Sequence, residues 1–164
     1  MRQPLSEMAD PKLRRLLLWW EAARRGRDMP TRADLDPADL RDILPNLMLV
    51  DIADTPESRF VYRLVGTHID ASLGVSVTGR SVQELPFGGE ARNDILEQYE
   101  QTCRERQPIF CTHGYDTTES RHVEYGRILA PMSRHGSGLD MLVGAVVFTI
   151  SHINLGLPRQ VLTA

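Results

Sequence analysis

Three apolar segments, residues 109–115, 123–132 and 139–150, follow one another with nothing between them but polar or glycine-serine turns at 116–121 and 133–138. A parallel crossover needs a dozen or more residues, usually a helix, so segments joined this tightly run antiparallel. The last of the three is the most apolar, and it is expected inside the sheet. A second group, residues 47–52 and 60–65, is joined by Thr55-Pro56-Glu57-Ser58, the turn chemistry of a hairpin. Strands that come as a pair and a triple, without regular alternation with helices, predict an antiparallel α+β fold rather than a doubly wound parallel one.

The helices are marked by their ends. Asp10-Pro11 is a cap followed by a proline in the first turn, and Gly26 supplies the stop. Leu13, Leu16, Leu17, Trp20 and Ala23 keep the spacing of one apolar stripe, which Leu18 and Trp19 widen. Adjacent residues on a helix point about 100° apart, so one indole is expected on the sheet and the other on a partner. Leu16, Trp19, Trp20 and Ala23 are the expected interface residues. Asp36-Pro37 predicts a second helix from 38 to 44, ended by Pro45; Gly66-Thr67 opens a short one through Leu73, stopped by Gly74. Residues 90–105 read as a longer helix with Ile95, Leu96, Tyr99 and Cys103 on its apolar side. Thr78-Gly79-Arg80 and Pro86-Phe87-Gly88-Gly89 punctuate the loop-rich stretch before it.

A chain of 164 residues that is 41% hydrophobic and 25% charged is the size of one domain with its own core. Its expected parts are an N-terminal helical segment, 1–45, used for dimer or partner contact, a core at 46–150 and a tail at 151–164. Net charge is −3, so no nucleic-acid partner is expected despite the arginines near the N-terminus. The longest apolar stretches, 16–20 and 142–150, fall short of the roughly 18 residues that cross a bilayer. With no apolar leader segment and only Cys103 and Cys111, the expected location is the cytoplasm.

Catalytic and metal-binding patterns are thin. The five histidines form no His-x-x-x-His pair, and the cysteines no Cys-x-x-Cys, so no metal site is expected. Cys111 and His113 share one strand face. His135-Gly136-Ser137-Gly138 lacks the spacing of a nucleophile elbow, no glycine-rich loop has the phosphate-binding pattern, and no catalytic residue is assigned. What remains is an apolar interior with a few polar handles, the makings of a small-molecule site. Its candidate ligand-binding residues are Tyr62 and Leu64 on one strand face and Ile69 and Leu73 on the short helix. Ile95 and Tyr99 on the longer helix, and Tyr125, Arg127 and Val143 on the later strands, complete the set. Arg63 should point away from Tyr62 and Leu64.

The element order, with Phe60-Val61-Tyr62-Arg63-Leu64-Val65-Gly66-Thr67, Leu73-Gly74 and Thr78-Gly79-Arg80, resembles the PAS fold, and in particular a bacterial family of short, stand-alone PAS-like proteins. The segments Ala33-Asp34-Leu35-Asp36-Pro37 and Ile43-Leu44-Pro45-Asn46-Leu47 resemble that family's lead-in. The resemblance implies five antiparallel strands with helices over one face, preceded by N-terminal helices. It implies a non-enzymatic sensory or protein-interaction module in signal transduction, a homodimer acting through a separate output protein, with or without a small ligand in its core. The 14 residues after Ile150 leave no room for an output domain. No cofactor is expected: haem-binding relatives carry a histidine on the longer helix, which has none here, and flavin photosensors a cysteine in an Asn-Cys-Arg context. The alternative is a small cavity enzyme or carrier acting on a hydrophobic small molecule.

Overall fold

The two longest strands, Arg121–Met132 and Met141–His152, pair along their whole length, from Arg121 opposite His152 to Met132 opposite Met141. In the computed structural model, which describes residues 1–85, 89–116 and 121–152, they are β5 and β6 of one antiparallel sheet. The others are β1 (Arg2–Gln3), β2 (Leu47–Ile52), β3 (Phe60–Val65) and β4 (Ile109–Asp116), in the order β1-β4-β5-β6-β2-β3. The five expected strands are all present, and β1 adds a sixth beside β4. The expected features at Pro86, Phe87 and Gly88, in the turn at 117–120 and in the tail from 153 lie outside the described residues.

Side chains on β6 alternate between two apolar clusters. Met141, Val143 and Ala145 belong to one, Leu142 and Val146 to the other, and all five are at most 4% exposed. Each face is covered. Helix α1 (Pro11–Arg24) lies over the first; α2 (Thr67–Leu73) and α3 (Gly89–Glu105) lie over the second. Residues 1–45 thus contribute a strand as well as a helix, and helices cover both sheet faces. The second expected helix is reduced to a 3-10 turn, Pro37–Leu40, although Asp36 caps it as anticipated by accepting from the Ala38 amide. Pro45 and Asn46 lie in a second such turn directly before β2.

The expected exposed indole is corrected. Trp19 and Trp20 are 6% and 1% exposed and Leu16 is fully buried, while Leu18 is 67% exposed. Met29, Leu35, Leu40 and Ile43 belong to the same cluster as both tryptophans. The connection after α1 folds back and supplies the cover that one sheet face cannot. Trp20 also answers a backbone requirement. The β4 pairing of β5 ends at Leu129, and the carbonyl of Pro131 beyond it accepts the indole N–H at 2.7 Å.

One irregularity resets the alternation of β3. Leu49 pairs with Leu64 but Val50 with Tyr62, so Arg63 is an extra residue, a bulge. Tyr62 faces α3, whereas Leu64 faces the other way and is 45% exposed. Arg63 binds Asp51 through Nε at 2.9 Å. Beyond the bulge Gly66 turns into α2, its N–H donating to the Leu47 carbonyl at 2.7 Å. A Cβ there would sit 2.3 Å from the Pro45 carbonyl oxygen and 2.6 Å from that of Leu44. Both obstacles are backbone and cannot swing aside. Gly66→Ala should therefore destabilise the chain by about 3 kcal/mol, read as a fall in the urea midpoint with an unchanged slope.

Candidate ligand site

Helix α3 buries Ile95, Gln98, Tyr99 and Thr102 against the sheet. That stripe shares Ile95 and Tyr99 with the expected one and differs in its other two members. Gln98 and Thr102 take places that an apolar reading gives to Leu96 and Cys103, which are only partly buried. Thr102 returns its hydroxyl to the Gln98 carbonyl at 2.8 Å. Gln98 spends its whole amide. Nε2 donates to the carbonyls of Ile109 at 3.0 Å and Arg127 at 3.1 Å, and Oε1 accepts from Arg127 Nε at 2.8 Å.

Arg127 is the centre of this cluster. It is 3% exposed, and its Nη2 has no hydrogen-bond partner. Its guanidinium carbon lies 5.2 Å from the centre of the Tyr99 ring and 5.7 Å from that of Tyr125. No carboxylate among the described residues pairs with it. Burial acts to lower its pKa, but the oxygens of Tyr99, Tyr125 and Tyr62 and the thiol of Cys111 outweigh that, and the net direction is up. The guanidinium stays charged in a place nearly dry.

The phenols continue the network. The Tyr62 and Tyr99 hydroxyls are 3.0 Å apart, and Tyr99 Oη donates to Met48 Sδ at 3.6 Å, which leaves Tyr62 as the donor to Tyr99. Desolvation raises the pKa of both, that of Tyr99 the more. Met48 reaches this position because Gly144 lies opposite it; a Cβ at 144 would meet Met48 Cε at 2.6 Å.

At the outer end, His113 stacks on Tyr125 with ring centres 5.2 Å apart, and Tyr125 meets Phe148 at 5.6 Å. His113 Nδ1 lies 3.3 Å from Asp94 Oδ2, and Nε2 is unpartnered. A groove of about 550 Å³ runs along the outer strands, lined by Thr112, Gly114, Glu124, Gly126 and Thr149, which alternate to the α1 face, together with His113 and Tyr125.

Of the nine expected ligand residues, Tyr62, Ile69, Ile95, Tyr99, Tyr125 and Arg127 lie between the sheet and α2–α3, with Leu73 packed at their margin. Leu64 is turned outward by the bulge. Val143 is corrected to the opposite face, where it packs with α1; Leu142 and Val146 hold the inward positions. Ala23 is partly buried against the α1 cluster. Sequence reading missed Gln98, Asp94 and Met48. For Gln98 the signal was available: it sits three residues after Ile95 and one before Tyr99, squarely on the buried face.

Burial, then the charges of Arg127 and the N-terminal amine, outweigh Asp94 and push the His113 imidazole down to about 4 from an ordinary 6.5. The unfolded chain therefore takes up a proton that the folded chain refuses, and stability should be flat above pH 6.5 and fall as pH drops from 6.5 toward 4. Discounted for partial solvent screening, the loss is roughly 2 kcal/mol. Urea denaturation across this range should show that slope in the parent chain and a shallower one in His113→Gln.

A family model for the PAS domain matches residues 8–147. No curated protein sequence matches the chain. Among solved structures, a light-oxygen-voltage domain studied with a flavin analogue superposes with a TM-score of 0.50 at 11% identity, covering 68% of this chain and 82% of that one. The PAS domain of Bordetella pertussis BvgS gives a TM-score of 0.47 at 17% identity, over 64% and 77% of the two chains. The light-oxygen-voltage domain of a histidine kinase from Erythrobacter litoralis gives 0.47 at 16%, over 65% and 96%. At 11% identity the first of these speaks for the fold alone. With the antiparallel sheet, the helices α2 and α3 over one face and a family match across most of its length, the chain belongs to the PAS domain family.

Proposed function

We propose that this chain is a non-enzymatic sensory module that takes up a small ligand between its sheet and α3 and signals through a separate protein partner. The observation that supports the reading is the buried polar cluster of Arg127, Gln98, Tyr62 and Tyr99, with the half-buried His113 at its edge. A sheet–helix core needs only apolar side chains, and a charged group buried without a carboxylate costs stability. Such groups are retained where something uses them.

The route to a partner follows from the two-faced sheet. Arg127 and Leu129 point toward α3, while Ile128 and Ala130, between and beyond them on β5, pack with α1. A ligand that shifts β5 on one face shifts the support of α1 on the other. Two packings of α1, differently populated with and without ligand, are what a partner or a second copy would read. The alternative, a cavity enzyme, wants an acid or base titrating near neutrality; His113, held near 4, is poorly suited.

Both tryptophans of the chain sit in α1, so their emission reports the signalling face without touching the ligand face. Purified protein should be screened against chromatographic fractions of a small-molecule extract, reading melting temperature and tryptophan emission together. A fraction that raises the melting temperature is expected to shift the emission as well. Stabilisation with no emission change would sink the coupling between faces; no stabilising fraction would sink the sensory reading.

A further inference from the structure

The arginine at the centre of the cluster carries an inference about ligand chemistry, which rests on the sensory reading above. Nη2 of Arg127 is a buried cationic donor without an acceptor, in a side chain 97% removed from solvent by its 3% exposure. Leaving such a donor unmade is expensive, and a charge-assisted bond to an oxyanion is its strongest remedy. We propose that Arg127 receives the carboxylate of a small monocarboxylic acid, whose apolar remainder lies against the tyrosines and aliphatic side chains beneath α3.

Three features select that class. One guanidinium is the only cation of the buried cluster, since the His113 beside it stays neutral, and one positive charge balances a monoanion and not a phosphate dianion. The groups around it are Tyr62, Tyr99, Tyr125, Ile95, Leu129 and Val146, rings and hydrocarbon that suit an apolar body rather than a second polar head. Gln98, the one amide in reach, is fully committed to Ile109 and Arg127 and fixes the guanidinium plane without consuming Nη2. His113 Nε2, with Nδ1 turned to Asp94, adds an acceptor for a ligand hydroxyl on the other side of the Tyr125 ring.

A ligand reaches Nη2 on the α3 face by parting α3 from β5 and not by filling a standing void. Binding is thereby coupled to movement of α3.

The test uses the full chain and four probes, benzoate, 4-hydroxybenzoate, phenylacetate and hexanoate, each beside its uncharged amide, measured by calorimetry and melting temperature. At least one carboxylate should bind roughly ten- to hundredfold more tightly than its amide, the range for one charge-assisted hydrogen-bonded contact. Arg127→Met, close in volume and uncharged, should abolish the preference while far-ultraviolet circular dichroism stays that of the parent. If that variant does not fold, the acid-against-amide comparison in the parent chain still decides. Equal binding of acid and amide, or an undiminished preference in folded Arg127→Met, overturns the carboxylate proposal. Should amides or neutral extract fractions bind while no carboxylate is preferred, the ligand class is wrong and the sensory reading stands. If neither these probes nor any extract fraction binds, both fall.

Discussion

The strand β6 is buried on both faces at once, and the remaining architecture follows from that demand. Antiparallel sheets often leave one face wet and carry a polar residue at every second position. Residues 141–146 contain none, and each is buried. A strand of this kind needs two layers of cover. The chain supplies them from separate parts of its sequence, α1 between β1 and β2, and α2 and α3 between β3 and β4. Gly144 is the one residue without a side chain in that run, and the space it leaves is where Met48 meets the hydroxyl of Tyr99. The packing of the central strand and the polar network beneath α3 are therefore joined at one contact.

How much of this could be read from residues alone depends on the range of the forces involved. Caps, breakers and strand order are local, and Asp10, Pro11, Gly74 and the successive apolar runs placed α1, α2 and all the long strands. Period-two alternation also placed Arg127 and Tyr62 on the sheet face covered by α3. It failed at Leu64 because one inserted residue, Arg63, reverses every position after it, and a bulge has no strong signature in a single sequence. It failed at Val143 because in a strand apolar on both faces the alternation has no polar half to fix its phase. Trp19 was misassigned for a tertiary reason: what buries it comes from a connection whose own pattern does not announce that it folds back over a helix. Gln98 was passed over because a polar residue on a helix is ordinarily solvated, and only the two backbone carbonyls and one guanidinium that it serves account for its burial.

The polar cluster under α3 is an investment in specificity more than in stability. A hydrocarbon replacement for Arg127 would remove a desolvation cost that cation–π contacts with Tyr99 and Tyr125 offset only in part. On the ligand reading proposed above, what the charge would confer is discrimination, since a buried donor rejects any occupant that leaves it unpaired. The neutral state of His113 belongs to the same arrangement. Burial first, and then repulsion from the guanidinium, which cannot give up its proton, keep the imidazole uncharged.

The two margins of the sheet bear on how copies of the chain can meet. The outer side of β4 is occupied by β1, with the Met1 ammonium donating to the Thr112 carbonyl at 2.6 Å. The outer side of β3 is met by residues 79–81, where the Tyr62 amide donates to Arg80 and the Gly79 amide to Tyr62, and the bulge at Arg63 twists what is left. Open strand margins are templates for intermolecular sheet extension. With both margins partly covered, strand addition is hindered at residues 110–112 of β4 and at Val61 and Tyr62 of β3, and the helices and the faces of the sheet are the broader surfaces left for contact.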